Sequence, residues 1–88
     1  MNFEVHWTLQ SQRQLAWAYN LAKRNGLADR VPRSTNEVDL ALSCDPMECS
    51  ESREGPIRIL IRSPLTIYFV INEKHHSAYI GQVRLHEV

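Results

Sequence analysis

The 88 residues set the first limits on size, charge and location. A chain of this length holds one hydrophobic core, so we expect a single domain over residues 1–88. Ten basic residues balance ten acidic ones, which argues against a dedicated nucleic-acid binder, because phosphate neutralisation supplies most of such a protein's affinity. The start has no basic and apolar regions typical of a secretory signal, and no apolar run is long enough to span a membrane. We therefore expect a cytoplasmic protein that does not contact membranes.

A short strand followed by a long helix is predicted at the start of the chain. Residues 3–7 alternate apolar and polar side chains, which is the period of a half-buried strand. Thr8 can cap the next helix, and apolar residues recur at helical spacing from residue 9 to residue 25. Gly26 then favours the end of this helix, because glycine readily adopts the left-handed backbone conformation at which helices terminate.

A second, shorter helix is predicted in the middle of the chain. Residues 34–37 read Ser-Thr-Asn-Glu and fit the capping box, in which a serine and a glutamate three residues later satisfy the first backbone N–H groups. The helix must end by Asp45, because Pro46 disfavours helix at the residue before it. Residues 46–56 are expected to form an irregular, acidic loop.

The last third of the chain predicts three antiparallel strands joined by short turns. They cover residues 57–62, 65–71 and 77–85, with polar or proline-containing breaks between them. In the last strand, strict alternation places Tyr79 and Gly81 on the same face as Val83 and Leu85. The order is β-α-α-β-β-β, an α+β fold in which a two-helix hairpin covers one face of an antiparallel sheet.

This order of elements and three stretches of sequence resemble the RelE/ParE family of bacterial toxins. The stretches are the strand at 3–7 that runs into a helix, Leu42-Ser43-Cys44-Asp45-Pro46, and the run from Ser50 to Arg58 with Pro64-Leu65-Thr66-Ile67-Tyr68-Phe69-Val70 after it. The resemblance covers nearly the whole chain in order and length. It implies the toxin of a type II toxin–antitoxin pair.

The resemblance implies a function and a set of partners. The favoured function is ribosome-dependent, metal-independent cleavage of mRNA; the alternatives are inhibition of DNA gyrase and a non-toxic interaction module. The expected partners are a cognate antitoxin, together with the ribosome and mRNA or else gyrase. The chain is expected to act as a dimer or as a hetero-oligomer with the antitoxin.

Four residues match the positions that the family's RNA-cutting members use. Arg58 and Arg84 could share a sheet face, depending on register, with Arg53 in the preceding loop and His86 near the end. In that chemistry the cations stabilise a charged phosphorane and the imidazole acts as acid or base. The alternative for Arg58 is a structural one, in which it is solvated or paired with the acidic loop.

A metal site is not predicted. Cys44 and Cys49 are separated by four residues, and the adjacent His75 and His76 lie in a predicted turn. This is not a usual spacing for structural zinc. The resemblance likewise implies no cofactor.

Overall fold

The computed structural model describes residues 2–86 of the chain. Within this range the elements are, in chain order, β1 (Glu4–Trp7), α1 (Leu9–Arg24), α2 (Arg30–Cys44), β2 (Glu51–Glu54), β3 (Ile57–Arg62), β4 (Leu65–Asn72) and β5 (Ser77–Leu85). The strands form one sheet in the order β1-β5-β4-β3-β2. Both helices pack on one face of this sheet, as the element order predicts.

The first helix begins and ends where the sequence predicts. The Thr8 side chain accepts a hydrogen bond from the Ser11 backbone N–H at 3.2 Å, which satisfies one of the first free donors of α1. After Asn25 the chain turns at Gly26, whose φ of +73° is accessible to glycine at little cost.

The second helix begins four residues earlier than the predicted capping box. It starts at Arg30, with Pro32 in the first turn, where a missing N–H breaks no helical hydrogen bond. Ser34 is therefore not a cap: its side chain is buried inside α2, and its hydroxyl donates to the Ser63 carbonyl at 2.7 Å. The helix ends at Cys44, just before the predicted limit.

Two features of the sheet differ from the prediction. Residues 51–54, expected in a loop, form the edge strand β2, which pairs antiparallel with β3. The strand β1 pairs parallel with β5, so the sheet is mixed rather than wholly antiparallel. Parallel pairing is possible here because the chain crosses over the sheet through both helices after β1.

The three C-terminal strands form the predicted meander, but a bulge interrupts the alternation of β5. Tyr68 pairs with Gln82 while Phe69 pairs with Ile80, so Gly81 is an extra residue in β5. The predicted shared face is therefore wrong, because the bulge places Tyr79 on the face opposite Val83.

The core lies between the helices and one face of the sheet. Its buried members are Ala18, Ala22, Val31, Val38 and Leu42 from the helices and Leu60, Leu65, Ile67, Phe69, Ala78, Ile80 and Val83 from the strands. At its border the Trp7 indole N–H donates to the Asp39 carboxylate at 2.8 Å, which joins β1 to α2. Neither helix is long and apolar enough to cross a membrane.

Candidate functional site

The sheet face away from the helices, which we call the open face, carries side chains in three rows fixed by the strand register. The rows are Ile57, Val70, Tyr79 and His6; Ile59, Tyr68 and Gln82; and Ile61, Thr66 and Arg84. Ile61 exposes 55% of its surface, Ile57 39% and Tyr79 36%. Apolar side chains that expose this much surface in one contiguous patch are typical of a binding surface.

Arg84 is the sequence-predicted site residue that lies on the open face. It pairs with Thr66 in the next strand, and its guanidinium carbon lies 5.8 Å from the centre of the Tyr68 ring. At this distance the ring's negative face attracts the cation. In the first row, the Tyr79 ring stacks on His6 with 4.9 Å between ring centres.

Arg58 lies on the opposite face of the sheet from Arg84. It pairs with the core residue Phe69, so its side chain starts on the helix side. Its Nε donates to the Ser50 hydroxyl at 2.8 Å, and its Nη2 donates to the carbonyls of Ser50 at 3.0 Å and Met47 at 3.2 Å. These contacts fix the segment between α2 and β2, so Arg58 has a structural position and pairs with neutral groups of the loop rather than with its carboxylates.

Arg53 is also separated from Arg84. It is exposed at an irregularity of the edge strand β2, three strand spacings from β5, which is about 14 Å across the sheet. In the same strand, Glu51 pairs with Ile59 and Glu54 with Ile57, which gives the open face an acidic border.

His86 lies just beyond β5, two residues after Arg84. Its backbone N–H donates to the Pro64 carbonyl at 2.9 Å, which fixes the end of the strand. Its Nε2 is buried and has no hydrogen-bond partner among the residues that the structure describes. Arg84 and His86 are thus two residues apart at the end of β5, whereas Arg58 lies on the opposite face of the sheet and Arg53 at its far edge.

The row of isoleucines that β3 contributes to the open face is the part of the site to which no functional role was assigned from the sequence. Its signal was the alternation of isoleucines in β3 and of Thr66, Tyr68 and Val70 in β4, which shows that both faces of these strands carry large side chains. Alternation does not tell which of the two faces the helices cover.

The cysteines do not form part of this site. Burial raises the pKa of the Cys49 thiol, and the nearby Arg62 guanidinium offsets only part of this effect. Cys44 is exposed, and both thiols are free. Within residues 2–86 no three histidine, cysteine or acidic side chains are grouped as metal ligands.

Two solved structures are similar to this chain throughout its length. A chain of the RelBE2 toxin–antitoxin complex of Mycobacterium tuberculosis matches with a TM-score of 0.75, covering 97% of this chain and 99% of that one at 17% identity. A chain of the chromosomal ParDE toxin–antitoxin system of P. aeruginosa matches with a TM-score of 0.73, covering 97% of each at 15% identity. This chain has the RelE/ParE fold.

The structural likeness confirms the fold prediction. It does not distinguish mRNA cleavage from gyrase inhibition. One neighbour belongs to a RelBE complex and the other to a ParDE system, and their TM-scores are nearly equal. No protein-family model matches the sequence, and no curated protein matches it.

Proposed function

We propose that this chain is the toxin of a bacterial toxin–antitoxin pair and that it inhibits a protein target by binding. The observation that carries the toxin role is the match of 97% of the chain to chains from two toxin–antitoxin complexes. DNA gyrase is the protein target that the ParE side of the resemblance implies. The antitoxin is the second partner of this proposal.

The composition of the open face supports binding over RNA cleavage. Cleavage without a metal requires several cations and an acid or base around one phosphate. Among the arginines of β3, β4 and β5, only Arg84 occupies the open face; Arg58 and Arg62 pair with residues of the helix side. An apolar centre with an acidic border is instead suited to a protein surface, because these strands offer a phosphate a single arginine there, Arg84.

Expression of the chain alone in a bacterium tests this proposal. We expect growth arrest with intact mRNA, and we expect the purified chain to inhibit supercoiling of plasmid DNA by gyrase. Growth arrest with cleaved mRNA would contradict gyrase inhibition and show that the chain acts as a ribonuclease. Normal growth in the presence of folded protein would contradict both toxin activities and favour the non-toxic interaction module.

A matched pair of variants tests whether the open face binds the target. Ile61→Lys introduces a charge into the third row of the open face, whereas Leu40→Lys introduces it on α2, and both wild-type side chains are largely exposed, at 55% and 66%. We expect Ile61→Lys to abolish growth arrest and Leu40→Lys to retain it, with both proteins folded by circular dichroism. Equal toxicity of the two variants would exclude the open face as the target site.

Ribosome-dependent mRNA cleavage is the second candidate function. It is favoured by one local arrangement: Arg84 lies over Tyr68, and His86 follows two residues later with a buried Nε2 that has no hydrogen-bond partner among residues 2–86. A cation beside an aromatic ring could hold a nucleotide, with the imidazole as acid or base. If this reading is correct, Arg84→Ala eliminates mRNA cleavage, while Arg53→Ala, at the far edge of the sheet, leaves it unchanged.

A further inference from the structure

The open face contains a pocket at the bulge of β5. Gly81 is the extra residue of the bulge, and because it has no side chain it leaves space beside Tyr68 and Tyr79. The pocket has a volume of about 370 Å³, and Ile57 and Val70 supply apolar surface to it. Pockets for small ligands range from about 300 to 1,000 Å³, so this one suits a single large group.

Two contacts hold the aromatic walls of the pocket. The Tyr79 ring stacks on His6 with 4.9 Å between ring centres. The Arg84 guanidinium carbon lies 5.8 Å from the centre of the Tyr68 ring. Neither His6 nor Arg84 lines the pocket, so both rings are supported while the pocket itself stays open. Walls that are already ordered lower the entropic cost of binding a ligand.

The lining of the pocket is uncharged. Within residues 2–86 no lysine, arginine, aspartate or glutamate contributes to it, and the polar groups that do contribute include the amides of Gln10 and Gln82. A nucleotide requires cations for its phosphate, whereas an aromatic side chain requires apolar surface and other rings to pack against. The lining therefore favours an aromatic side chain over a nucleotide.

Carboxylates border the open face on both sides of the pocket. Glu51 and Glu54 pair with the open-face isoleucines of β3 on one side. On the other side, the Glu4 Oε1 atom lies 3.3 Å from the His6 Nε2 atom. Against these three carboxylates, β1 and β2 carry one arginine, Arg53. Complementary charge would steer a basic surface to this border.

We propose that this pocket is the anchor point of the open face and receives one aromatic side chain that projects from a basic surface of the target protein. The identity of the partner as the toxin's target rests on the proposed function. The class of side chain rests on the lining and on the charge of the border. A large side chain held in a central pocket contributes much of the binding energy of a protein interface.

Nuclear magnetic resonance with three acetylated and amidated tripeptides tests the proposal. We expect Lys-Phe-Lys to shift the ring signals of Tyr68 and Tyr79 and the amide signal of Gly81. Lys-Ala-Lys is expected to bind at least about tenfold more weakly, because it lacks the ring that fills the pocket. Glu-Phe-Glu is expected to bind about fivefold more weakly, because its charges meet the acidic border.

A pair of valine substitutions makes the test specific to the pocket. A Cβ atom at Gly81 would meet no other atom within 4 Å, and the φ of Gly81 lies outside the left-handed region, so Gly81→Val fills the pocket without strain. Ser52→Val places the same side chain on the helix side of the sheet, because Ser52 pairs with Arg58. We expect only Gly81→Val to weaken binding of Lys-Phe-Lys, by at least about tenfold, with both variants folded by circular dichroism.

A pair of charge reversals tests the acidic border. Glu54→Lys is expected to weaken binding of Lys-Phe-Lys about fivefold, whereas Glu37→Lys, on α2, leaves it unchanged. Equal binding of Lys-Phe-Lys and Lys-Ala-Lys, or equal binding by the wild type and Gly81→Val, would overturn the proposal. Adenosine monophosphate that bound in this pocket more tightly than Lys-Phe-Lys would assign the pocket to a nucleobase and would overturn it as well.

Growth arrest separates this inference from the proposed function. We expect Gly81→Val to abolish growth arrest and Ser52→Val to retain it. If the wild type arrests growth but binds none of the peptides, the pocket is refuted and the toxin role stands. If Lys-Phe-Lys binds in the pocket of a chain that does not arrest growth, the toxin role is refuted and the ligand class stands. Growth arrest by Gly81→Val at the wild-type level would show that the target does not use the pocket.

Discussion

Replacement of Arg58 by alanine separates a structural role from a catalytic one. The side chain makes two partly buried hydrogen bonds to Ser50 and a more exposed one to the Met47 carbonyl. A hydrogen bond of this kind contributes about 1 kcal/mol net, so removal of the two partly buried bonds lowers the free energy of unfolding by about 2 kcal/mol. For a chain of this size, that corresponds to a decrease in Tm of roughly 8–15 °C.

Urea and thermal unfolding followed by circular dichroism measure this effect. Arg62→Ala is the matched control: it removes an arginine from the same strand and face, but among residues 2–86 its guanidinium donates only to the carbonyl of the adjacent Ile61, at 2.9 Å. We expect the control to change stability by less than about 0.5 kcal/mol. If Arg58→Ala were as stable as wild type and yet lost all toxicity, Arg58 would be a functional residue and the structural assignment would be refuted.

Three further predictions concern the core and the thiols. Ser34→Ala removes the hydroxyl that binds the Ser63 carbonyl and is expected to destabilise the fold by about 1–2 kcal/mol in urea titrations. Leu42→Ala leaves a cavity at a fully buried position, and we expect a loss of about 3 kcal/mol, a large part of the stability of so small a chain. Because burial raises its pKa, Cys49 forms less thiolate at a given pH, so its alkylation, followed by mass spectrometry, should accelerate at higher pH than that of an ordinary thiol. Cys44 should be alkylated first, because it is exposed to the reagent.

The strands of the meander were predictable because local signals determine them. Alternating side chains and intervening turn residues gave the bounds of β3 and β5 correctly and those of β4 to within one residue. The edge strand β2 was not predicted, because its sequence Glu-Ser-Arg-Glu contains no apolar residue and so shows no alternation. All four residues are exposed in the structure. The predicted start of α2 was wrong because the sequence around Ser34 fits a capping box, whereas the Ser34 hydroxyl in fact donates to the distant Ser63 carbonyl. A serine in either role gives the same local sequence pattern.

The candidate site was harder to predict, because its composition depends on cross-strand register. A shift of one residue moves a strand's side chains to the other face, and no local pattern showed whether Arg58 and Arg84 fall on the same side. Pairing of Arg58 with Phe69 and of Arg84 with Thr66 places them on opposite faces. The bulge at Gly81 also exchanges the two faces of β5 part-way along the strand, which a prediction from strict alternation cannot anticipate.

The placement of charge explains why net neutrality is compatible with this fold. A protein that binds RNA through its own surface makes several phosphate contacts, and its affinity falls steeply with salt, with a slope of about −0.7 for each contact with a single strand. The strands β3, β4 and β5 place one arginine, Arg84, on the open face, while Arg58 is bonded to the loop before β2. A single contact supplies little affinity, so an RNA target would have to be held by other components such as the ribosome. A protein target needs no such help, because it can bury the isoleucines of β3 directly.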